Sequence, residues 1–359
     1  MTLTKDCARQ KVMLREMGRG DSIDNTQPHD RSMKLLEDAG IYVLASLTTP
    51  QCGINRNAPL ESYQPAILLE MFKTIDLMAQ YPNTLGVLVS NHLINDARSE
   101  SLCAPVLAAA VRDMKKYMRL KRNLTGQRIL PLGYGAAAAG ERDRRVLEYL
   151  SSREDDFRVD FWAGCHYTWA GRSDGDPSGY RDVIDRYKDA KIPLFLCEYG
   201  SRPGRGRPRS FDETRALYSP EMTQVFSGGC VYEMWQGTND YGLVQMISKV
   251  EESGNVPGSR VRHAQRARDA YQGEILETRE TYWGELQLYE DFRNYQARLQ
   301  EAERMSSAED RRAQNAAADP DSEMGHEEVS SDTGDSGTLP HIPDTCLDWP
   351  GIEAAIRGG

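Results

Sequence analysis

The sequence predicts an α/β fold of the (β/α)8 barrel type in which about six of the strands are recognisable. Up to residue 246, short apolar runs rich in β-branched and aromatic residues alternate with amphipathic stretches of helical periodicity. Such apolar runs are typical of buried parallel strands. Strict alternation with helices then indicates a parallel sheet with helical crossovers.

The pattern locates most elements of this barrel in order. Strands are predicted at 41–47, 85–91, 128–134, 159–167, 192–199 and 228–235. Helices are predicted at about 5–17, 30–39, 64–81, 104–122, 141–150, 179–189 and 212–226. A complete barrel of eight strands would have one strand before the helix at 5–17 and another between 19 and 30. We therefore expect the first two strands to be missing.

The chain changes character beyond about residue 250. We predict a barrel over 1–249, then a charged insertion and an amphipathic closing helix over 250–304. The helix is inferred from an apolar residue at every third or fourth position between Trp283 and Leu299. Residues 305–338 are rich in Ser, Asp, Glu, Gly and Ala, which predicts a disordered acidic linker. A short ordered segment is expected at 339–359.

Composition narrows the possible partners. A net charge of −10 argues against a general nucleic-acid binder, which needs a positive face. No apolar run approaches the ~20 residues of a transmembrane helix. The N-terminus has no apolar signal-peptide core, and the C-terminus has no hydrophobic tail of a lipid-anchor signal. The seven cysteines include no CxxC pair, and no phosphate loop occurs, so neither a metal nor another cofactor is predicted.

Polar and aromatic residues at the strand ends are the candidates for chemistry, because barrel active sites lie at the carboxyl ends of the strands. Glu198 directly follows the apolar run IPLFLC, and a carboxylate there would be costly in the core. It is predicted to face a polar cleft as a glycosidase nucleophile; a salt-bridged structural carboxylate is the alternative. The aromatic residues of the same face suit stacking on sugar rings: Tyr167, Trp169, Tyr232, Trp235 and Tyr241.

The chain resembles the fungal cell-wall β-1,3-glucanosyltransferases, of the glycoside hydrolase family 72 type. The resemblance runs from about Asp6 to Met246. It is carried by the segments HDRSMKLLEDAGIYVLASLTTP, INRNAP, YPNTLGVLVSN, VDFWAGCHYTWAG, PLFLCEYG and FSGGCVYEMWQGTNDYGLV. It implies a barrel that cleaves a β-1,3-glucan and transfers the new reducing end to another glucan. The family is anchored at the cell surface, so the resemblance also implies that location.

The resemblance assigns roles to individual residues. Glu198 matches the carboxylate that attacks the anomeric carbon in this retaining mechanism. His92 stands where the family has the acid/base glutamate. The residues that match substrate-contacting positions are Asn91, Tyr167, Tyr232, Asn55, Arg56 and Arg145. Asp96 is a possible substitute acid, although it follows four residues later.

The histidine leaves more than one function open. A general acid contributes about 10²–10⁴-fold to rate, and imidazole differs from glutamate in length and shape. One hypothesis is a transglycosylase that uses His92. A second is a glucan-binding relative without activity. A third is an interaction protein that uses the 260–304 helix and the acidic tail. The missing strands indicate a rearranged barrel or an incomplete gene product.

Overall fold

The fold is organised by one parallel sheet, seen in a computed structural model of the chain. The structure describes residues 11–15, 23–137, 140–167, 178–204, 207–248, 270–271, 273–282, 284–317 and 341–358. The sheet strands are β1 (Lys11–Arg15), β2 (Ile41–Ser46), β3 (Thr84–Asn91), β4 (Leu132–Ala136), β5 (Phe161–His166), β6 (Leu194–Tyr199) and β7 (Phe226–Val231). They are hydrogen-bonded in chain order, and every pair is parallel.

The sheet is curled. Cα atoms of the two edge strands, β1 and β7, lie within 8 Å of one another, although these strands are not hydrogen-bonded neighbours. Such a sheet, with helices in the crossovers, is an incomplete (β/α)8 barrel, as the alternating pattern predicted. Strands β2 to β7 confirm the predicted runs to within a few residues at each end.

The predicted helix at 5–17 is wrong where the structure describes it. Lys11–Arg15 is the edge strand β1, paired in parallel with β2 from Lys11 opposite Ile41 to Arg15 opposite Ala45. The segment KVMLR carries apolar residues that suit either a helix or a strand, and short apolar runs cannot be assigned by periodicity alone. The pairing with β2 decides it. One strand therefore exists where the sequence predicted none.

Helices cover the outside of the sheet. They are α1 (Asp30–Asp38), α2 (Pro59–Ser62), α3 (Pro65–Ala79), α4 (Ala97–Thr125), α5 (Glu141–Ser151), α6 (Ser178–Tyr187), α7 (Asp212–Leu217) and α8 (Pro220–Thr223). The predicted start of α4 at 104 is too late. Asp96 caps this helix by accepting from the Ser99 backbone amide at 2.7 Å, and Pro105 lies inside the helix. The single helix predicted over 212–226 is divided into α7 and α8 at Ser219-Pro220.

Two apolar layers hold the sheet in place. Between the sheet and the helices lies the larger layer, in which Phe72 stacks on Tyr117 with ring centroids 4.0 Å apart. The inside of the curl is filled by a smaller set: Leu44, Leu85, Leu88, Phe161, Ala163, Cys165, Phe195, Cys197 and Cys230. Because both faces of the strands are covered, their runs are continuously apolar, as expected for buried parallel strands.

The region after the sheet differs from its prediction. Strands β8 (Val244–Ser248), β9 (Ile275–Thr281) and β10 (Gly284–Tyr289) form a second, antiparallel sheet in the order β8-β10-β9. Leu286 and Tyr289 therefore lie on a strand, so the helix predicted over 260–304 is wrong for 275–281 and 284–289. Helix α9 (Glu290–Ala317) begins only at Glu290. Of the helix used by the third functional hypothesis, only the part from Glu290 to residue 304 is helical among the described residues from 273 onward.

The last segments pack back onto the barrel. Helix α9 continues through residue 317, so the predicted disorder is wrong for 305–317; residues 318–338 lie outside the described part. Within the short segment expected near the C-terminus lies α10 (Trp349–Gly358), which packs on α4. There the Lys116 ammonium lies 4.3 Å from the Trp349 ring centroid. Among the described residues, no helix combines the length and apolar character needed to cross a bilayer.

Candidate active site

A cleft of about 390 Å³ opens where the strands of the large sheet end. Its lining residues are Asn91, His92, Tyr167, Glu198, Tyr232 and Tyr241. All six were candidates from the sequence, Tyr241 as one of the aromatic residues suited to stacking on sugar rings. They come from the carboxyl ends of β3, β5, β6 and β7 and from the loop after β7. The parallel sheet thus brings together residues as far apart in the chain as 91 and 241.

Glu198 lies at the floor of this cleft. Its residue is only 7% exposed, and its Oε2 accepts a 2.8 Å hydrogen bond from the Tyr167 hydroxyl. The strand register is irregular here, between Gly164 and Cys165 on β5 and again between Leu196 and Tyr199 on β6. Such irregularities redirect side chains next to active sites. Glu198 consequently reaches the cleft although the preceding Cys197 belongs to the apolar inside of the curl.

His92 lies on the side of the cleft that faces Glu198, immediately after β3. Its imidazole Nε2 is 3.5 Å from Glu198 Oε1 and 2.9 Å from Cys165 Sγ. Its backbone has φ 52°, a left-handed conformation that is uncommon for residues other than glycine. Arg56 holds this loop by donating from Nε to the Leu93 carbonyl at 2.6 Å and from Nη2 to the His92 carbonyl. The imidazole is therefore placed against the predicted nucleophile.

Asn91 ends β3 beside a glycine that makes room for it. A Cβ at Gly135, on β4, would lie 1.9 Å from Asn91 Oδ1. No side chain fits at that distance, so the position of Asn91 requires glycine at residue 135. We call Asn91 and His92 the asparagine–histidine side of the cleft.

Three tyrosines form the other wall. Tyr167, Tyr232 and Tyr241 contact one another edge to face, with ring centroids 5.6–6.4 Å apart. Aromatic pairs favour this geometry, and tyrosine rings with hydroxyls suit sugar faces and sugar oxygens. The Tyr232 hydroxyl also accepts from Asn239 Nδ2 at 3.0 Å. We call Tyr167, Glu198, Tyr232 and Tyr241 the tyrosine side.

A buried ion pair supports the tyrosine side from behind. Arg209 and Asp291 are both 0% exposed, and Arg209 Nε donates to Asp291 Oδ2 at 2.7 Å. The same guanidinium donates to the carbonyls of Tyr232 at 2.6 Å and Tyr241 at 2.5 Å. Asp291 lies in the first turn of α9, so a residue outside the sheet fixes the backbone of two cleft tyrosines. Sequence reasoning missed this pair because its members are 82 residues apart.

Two further acidic residues lie near this support. Burial raises the pKa of Glu233, and the negative charge of Glu198 raises it further. Burial also raises the pKa of Glu213 to about 7, although the backbone amide of Ser201 opposes this shift. Neither side chain lines the cleft. Asp96, the other candidate for the acid, does not line the cleft either. Hydrogen bonds from the backbone and the side chain of Ser99 lower its pKa.

The remaining predicted residues lie elsewhere. Arg145 makes a two-bond ion pair with Glu100 at 2.8 Å and is largely exposed. Asn55 accepts from the Asn57 amide at 2.9 Å within the loop after β2. Asn55, Arg56 and Arg145 are not among the lining residues. Trp235 is 51% exposed and likewise outside the cleft, and Trp169 lies outside the described residues.

Solved structures of similar proteins share this fold. Gas2p of Saccharomyces cerevisiae, in complex with laminaritriose and laminaritetraose, matches 83% of this chain and 57% of its own with a TM-score of 0.63 and 27% identity. A second complex of Gas2p, with laminaritetraose and laminaripentaose, matches 78% of this chain and 54% of its own with a TM-score of 0.62 and 27% identity.

Sequence relatives agree with the structures. The chain is 38% identical over 244 residues to 1,3-beta-glucanosyltransferase gel1 of Aspergillus fumigatus, covering 67% of this chain and 52% of the relative. It is 38% identical over 245 residues to 1,3-beta-glucanosyltransferase GAS5 of S. cerevisiae, covering 67% and 49%. The chain spans about half the length of these relatives. The family model described as Glucanosyltransferase matches residues 2–256. With the family model matching more than half of the chain, this protein belongs to the glucanosyltransferase family, glycoside hydrolase family 72.

Proposed function

We propose that the cleft binds β-1,3-gluco-oligosaccharides and that the protein is a 1,3-beta-glucanosyltransferase with Glu198 as nucleophile. The observation that carries this proposal is the Glu198 carboxylate, hydrogen-bonded to Tyr167 at the floor of a tyrosine-lined cleft. In a retaining mechanism such a carboxylate attacks the anomeric carbon and forms a covalent glycosyl-enzyme. A second glucan, rather than water, then accepts the sugar.

The substrate contacts proposed here follow the cleft. Asn91, Tyr167 and Tyr232 contact the sugar, joined by Tyr241, whose ring lies against both other tyrosines. Arg56 acts indirectly, because its guanidinium is engaged by the carbonyls of His92 and Leu93. For Asn55 and Arg145 a sugar contact requires a glucan that extends beyond the cleft. Family membership also carries a proposed location at the cell surface, which fractionation of the source organism would test.

In this proposal the position of the His92 imidazole limits the rate of glucan transfer. The two carboxyl groups of retaining glycosidases lie ~5–5.5 Å apart, which leaves room for the scissile bond between them. His92 Nε2 is 3.5 Å from Glu198 Oε1. The imidazole must therefore turn away before a glycosidic oxygen can enter and receive its proton. Its side chain, 37% exposed, has space on the cleft side to do so.

The 3.5 Å distance between His92 Nε2 and Glu198 Oε1 also favours a second function. If the imidazole stays against Glu198, the cleft binds glucan without cleaving it. The protein is then a non-catalytic glucan-binding relative. The aromatic wall supports either function equally, since it does not depend on His92.

The decisive experiment incubates the full chain with laminaripentaose and separates the products by chromatography. Wild type is expected to give longer oligosaccharides slowly, Glu198→Gln none, and His92→Glu more than wild type. Restoring the glutamate is expected to increase rate by about 10²-fold or more, the usual contribution of a general acid. Products from Glu198→Gln equal to those of wild type would contradict the nucleophile.

A measurement of oligosaccharide binding distinguishes the transferase from the non-catalytic glucan-binding relative. Isothermal titration of Glu198→Gln with laminaripentaose should release or absorb heat, because the tyrosine wall is intact in this variant. Heat of binding without products from wild type supports the non-catalytic relative. A flat titration, together with no products from any variant, would overturn both functions.

A further inference from the structure

Three potential metal ligands meet beside the cleft, one directly after β3 and one each on β5 and β6. The Nε2 atom of His92 and the Sγ atoms of Cys165 and Cys197 all lie within 4.8 Å of one another. The His92–Cys165 distance is 2.9 Å, and the Cys165–Cys197 distance is 3.5 Å. Both cysteines are buried, at 7% and 2% exposure. We propose that these residues form a Zn²⁺ site whose fourth coordination position opens into the cleft.

The spacing of the ligands suits a tetrahedral ion. With Zn–S bonds of ~2.3 Å and Zn–N bonds of ~2.0–2.1 Å, a tetrahedral ion places its sulfur ligands about 3.8 Å apart and a nitrogen about 3.5–3.6 Å from each sulfur. The sulfur–sulfur distance of 3.5 Å is about 0.3 Å shorter than this edge. The nitrogen–sulfur distance of 2.9 Å must open by about 0.6–0.7 Å. Rotation of the partly exposed imidazole provides this opening without moving a strand.

The ligand chemistry selects the metal. Two thiolates with one imidazole are the soft set that binds zinc, and three protein ligands with one open position describe the non-structural type of zinc site. In the metal-free cluster, Cys197 Sγ donates to the Ala163 carbonyl at 3.2 Å. Binding removes that proton and replaces its hydrogen bond with a metal bond. Two thiolate charges balance the charge of the ion.

The open position lies beside the proposed nucleophile. Glu198 Oε1 is 3.5 Å from His92 Nε2, but Glu198 does not belong to the group of mutually close ligand atoms. Water or a sugar hydroxyl from the cleft can therefore complete the coordination. A metal bound to Nε2 occupies the nitrogen that would carry the proton to a leaving oxygen. Zinc-loaded protein is thus expected to bind glucan and to transfer it more slowly than metal-free protein.

The test uses cobalt as a spectroscopic substitute for zinc. The full chain is purified under reductant, stripped with a chelator and titrated with Co²⁺. One equivalent is expected to bind and to give a thiolate-to-cobalt charge-transfer absorption, which Zn²⁺ then abolishes by displacement. No sugar is present, so the result is independent of the proposed function.

Variants assign the ligands. Cys165→Ser, Cys197→Ser and His92→Gln should each weaken Co²⁺ binding by at least about 100-fold, since loss of even an outer-shell partner costs 10–100-fold. Cys103→Ser is the matched control, because Cys103 is a buried free thiol outside the cluster. Circular dichroism checks that each variant folds. If the cysteine variants do not fold, His92→Gln alone tests the metal site.

Three results would overturn the site. The first is no stoichiometric Co²⁺ binding by wild type, and the second is binding without thiolate charge transfer. The third is equal affinity in wild type, His92→Gln and the cysteine variants. Loss of transfer activity alone does not bear on the metal, and loss of metal binding alone leaves the glucan proposal intact.

Discussion

The two sides of the cleft are built on different principles. The tyrosine side rests on the buried Arg209–Asp291 pair, which bonds to the Tyr232 and Tyr241 carbonyls from outside the parallel sheet. The asparagine–histidine side rests on local backbone: a glycine opposite Asn91 and a left-handed residue at His92. One side is a wall of three tyrosine rings in mutual contact, whereas the other holds its histidine between a carboxylate and a thiol. We therefore expect the proposed glucan binding to depend on the tyrosine side and the proposed transfer step to depend on His92.

Breaking the buried pair should have the largest effect. Asp291→Ala leaves the Arg209 charge buried without its partner, which costs about 3–5 kcal/mol of unfolding free energy. Urea unfolding measures this loss, and calorimetry should show weaker laminaripentaose binding. Glu353→Ala is the control, because its pair with Arg357 lies on the surface of α10 and contributes at most about 1 kcal/mol. Equal, small losses in both variants would show that the pair does not support the tyrosine side.

The pH dependence of the unfolding free energy tests Glu213, which lies near the Arg209–Asp291 pair. Burial raises the pKa of Glu213 from 4.5 to about 7, so the folded state binds this proton more tightly than the unfolded state. Its stabilising contribution is complete below about pH 4.5 and is lost as pH rises through about 7, a change of roughly 3 kcal/mol. Glu213→Gln should lack this loss when urea unfolding is measured at several pH values. Glu221→Gln, at an exposed position, should follow wild type; a wild-type slope in Glu213→Gln would contradict the assignment.

The asparagine–histidine side can be tested with one methyl group. Gly135→Ala places a Cβ against Asn91 Oδ1 and forces that side chain to move. We expect a loss of about 1–3 kcal/mol in unfolding free energy, typical of overpacking, with weaker oligosaccharide binding. Gly164→Ala on β5 is the control, because its Cβ would meet Trp162 at an ordinary 3.5 Å. Unchanged binding in Gly135→Ala would remove Asn91 from the substrate contacts.

The smallest expected effect comes from a single hydroxyl. Tyr232→Phe keeps the ring contacts with Tyr167 and Tyr241 but removes the acceptor for Asn239. One neutral hydrogen bond contributes about 0.5–1.5 kcal/mol, so laminaripentaose affinity should fall by about tenfold at most. Tyr282→Phe, at 86% exposure, should leave affinity unchanged in the same calorimetric assay. A fall in both would indicate an effect unrelated to the cleft.

The sequence by itself determined the order of the main elements and the position of the candidate site. Strand β6 and Glu198 were predictable because IPLFLC is a local apolar run and a carboxylate at its end must find a polar place. His92 and the cleft tyrosines followed from the same strand ends and from the resemblance. Periodicity is a local property, and the local pattern here was strong.

Only the tertiary structure decided which distant residues meet. Arg209 with Asp291, and His92 with Cys165 and Cys197, are joined by strands and helices that bring positions tens of residues apart into contact. The edge strand β1 and the hairpin β9–β10 were likewise decided by their partners, because a short segment adopts the conformation whose backbone hydrogen bonds its neighbours complete. A local sequence pattern does not specify which distant segments become neighbours, so these contacts are determined by the tertiary packing.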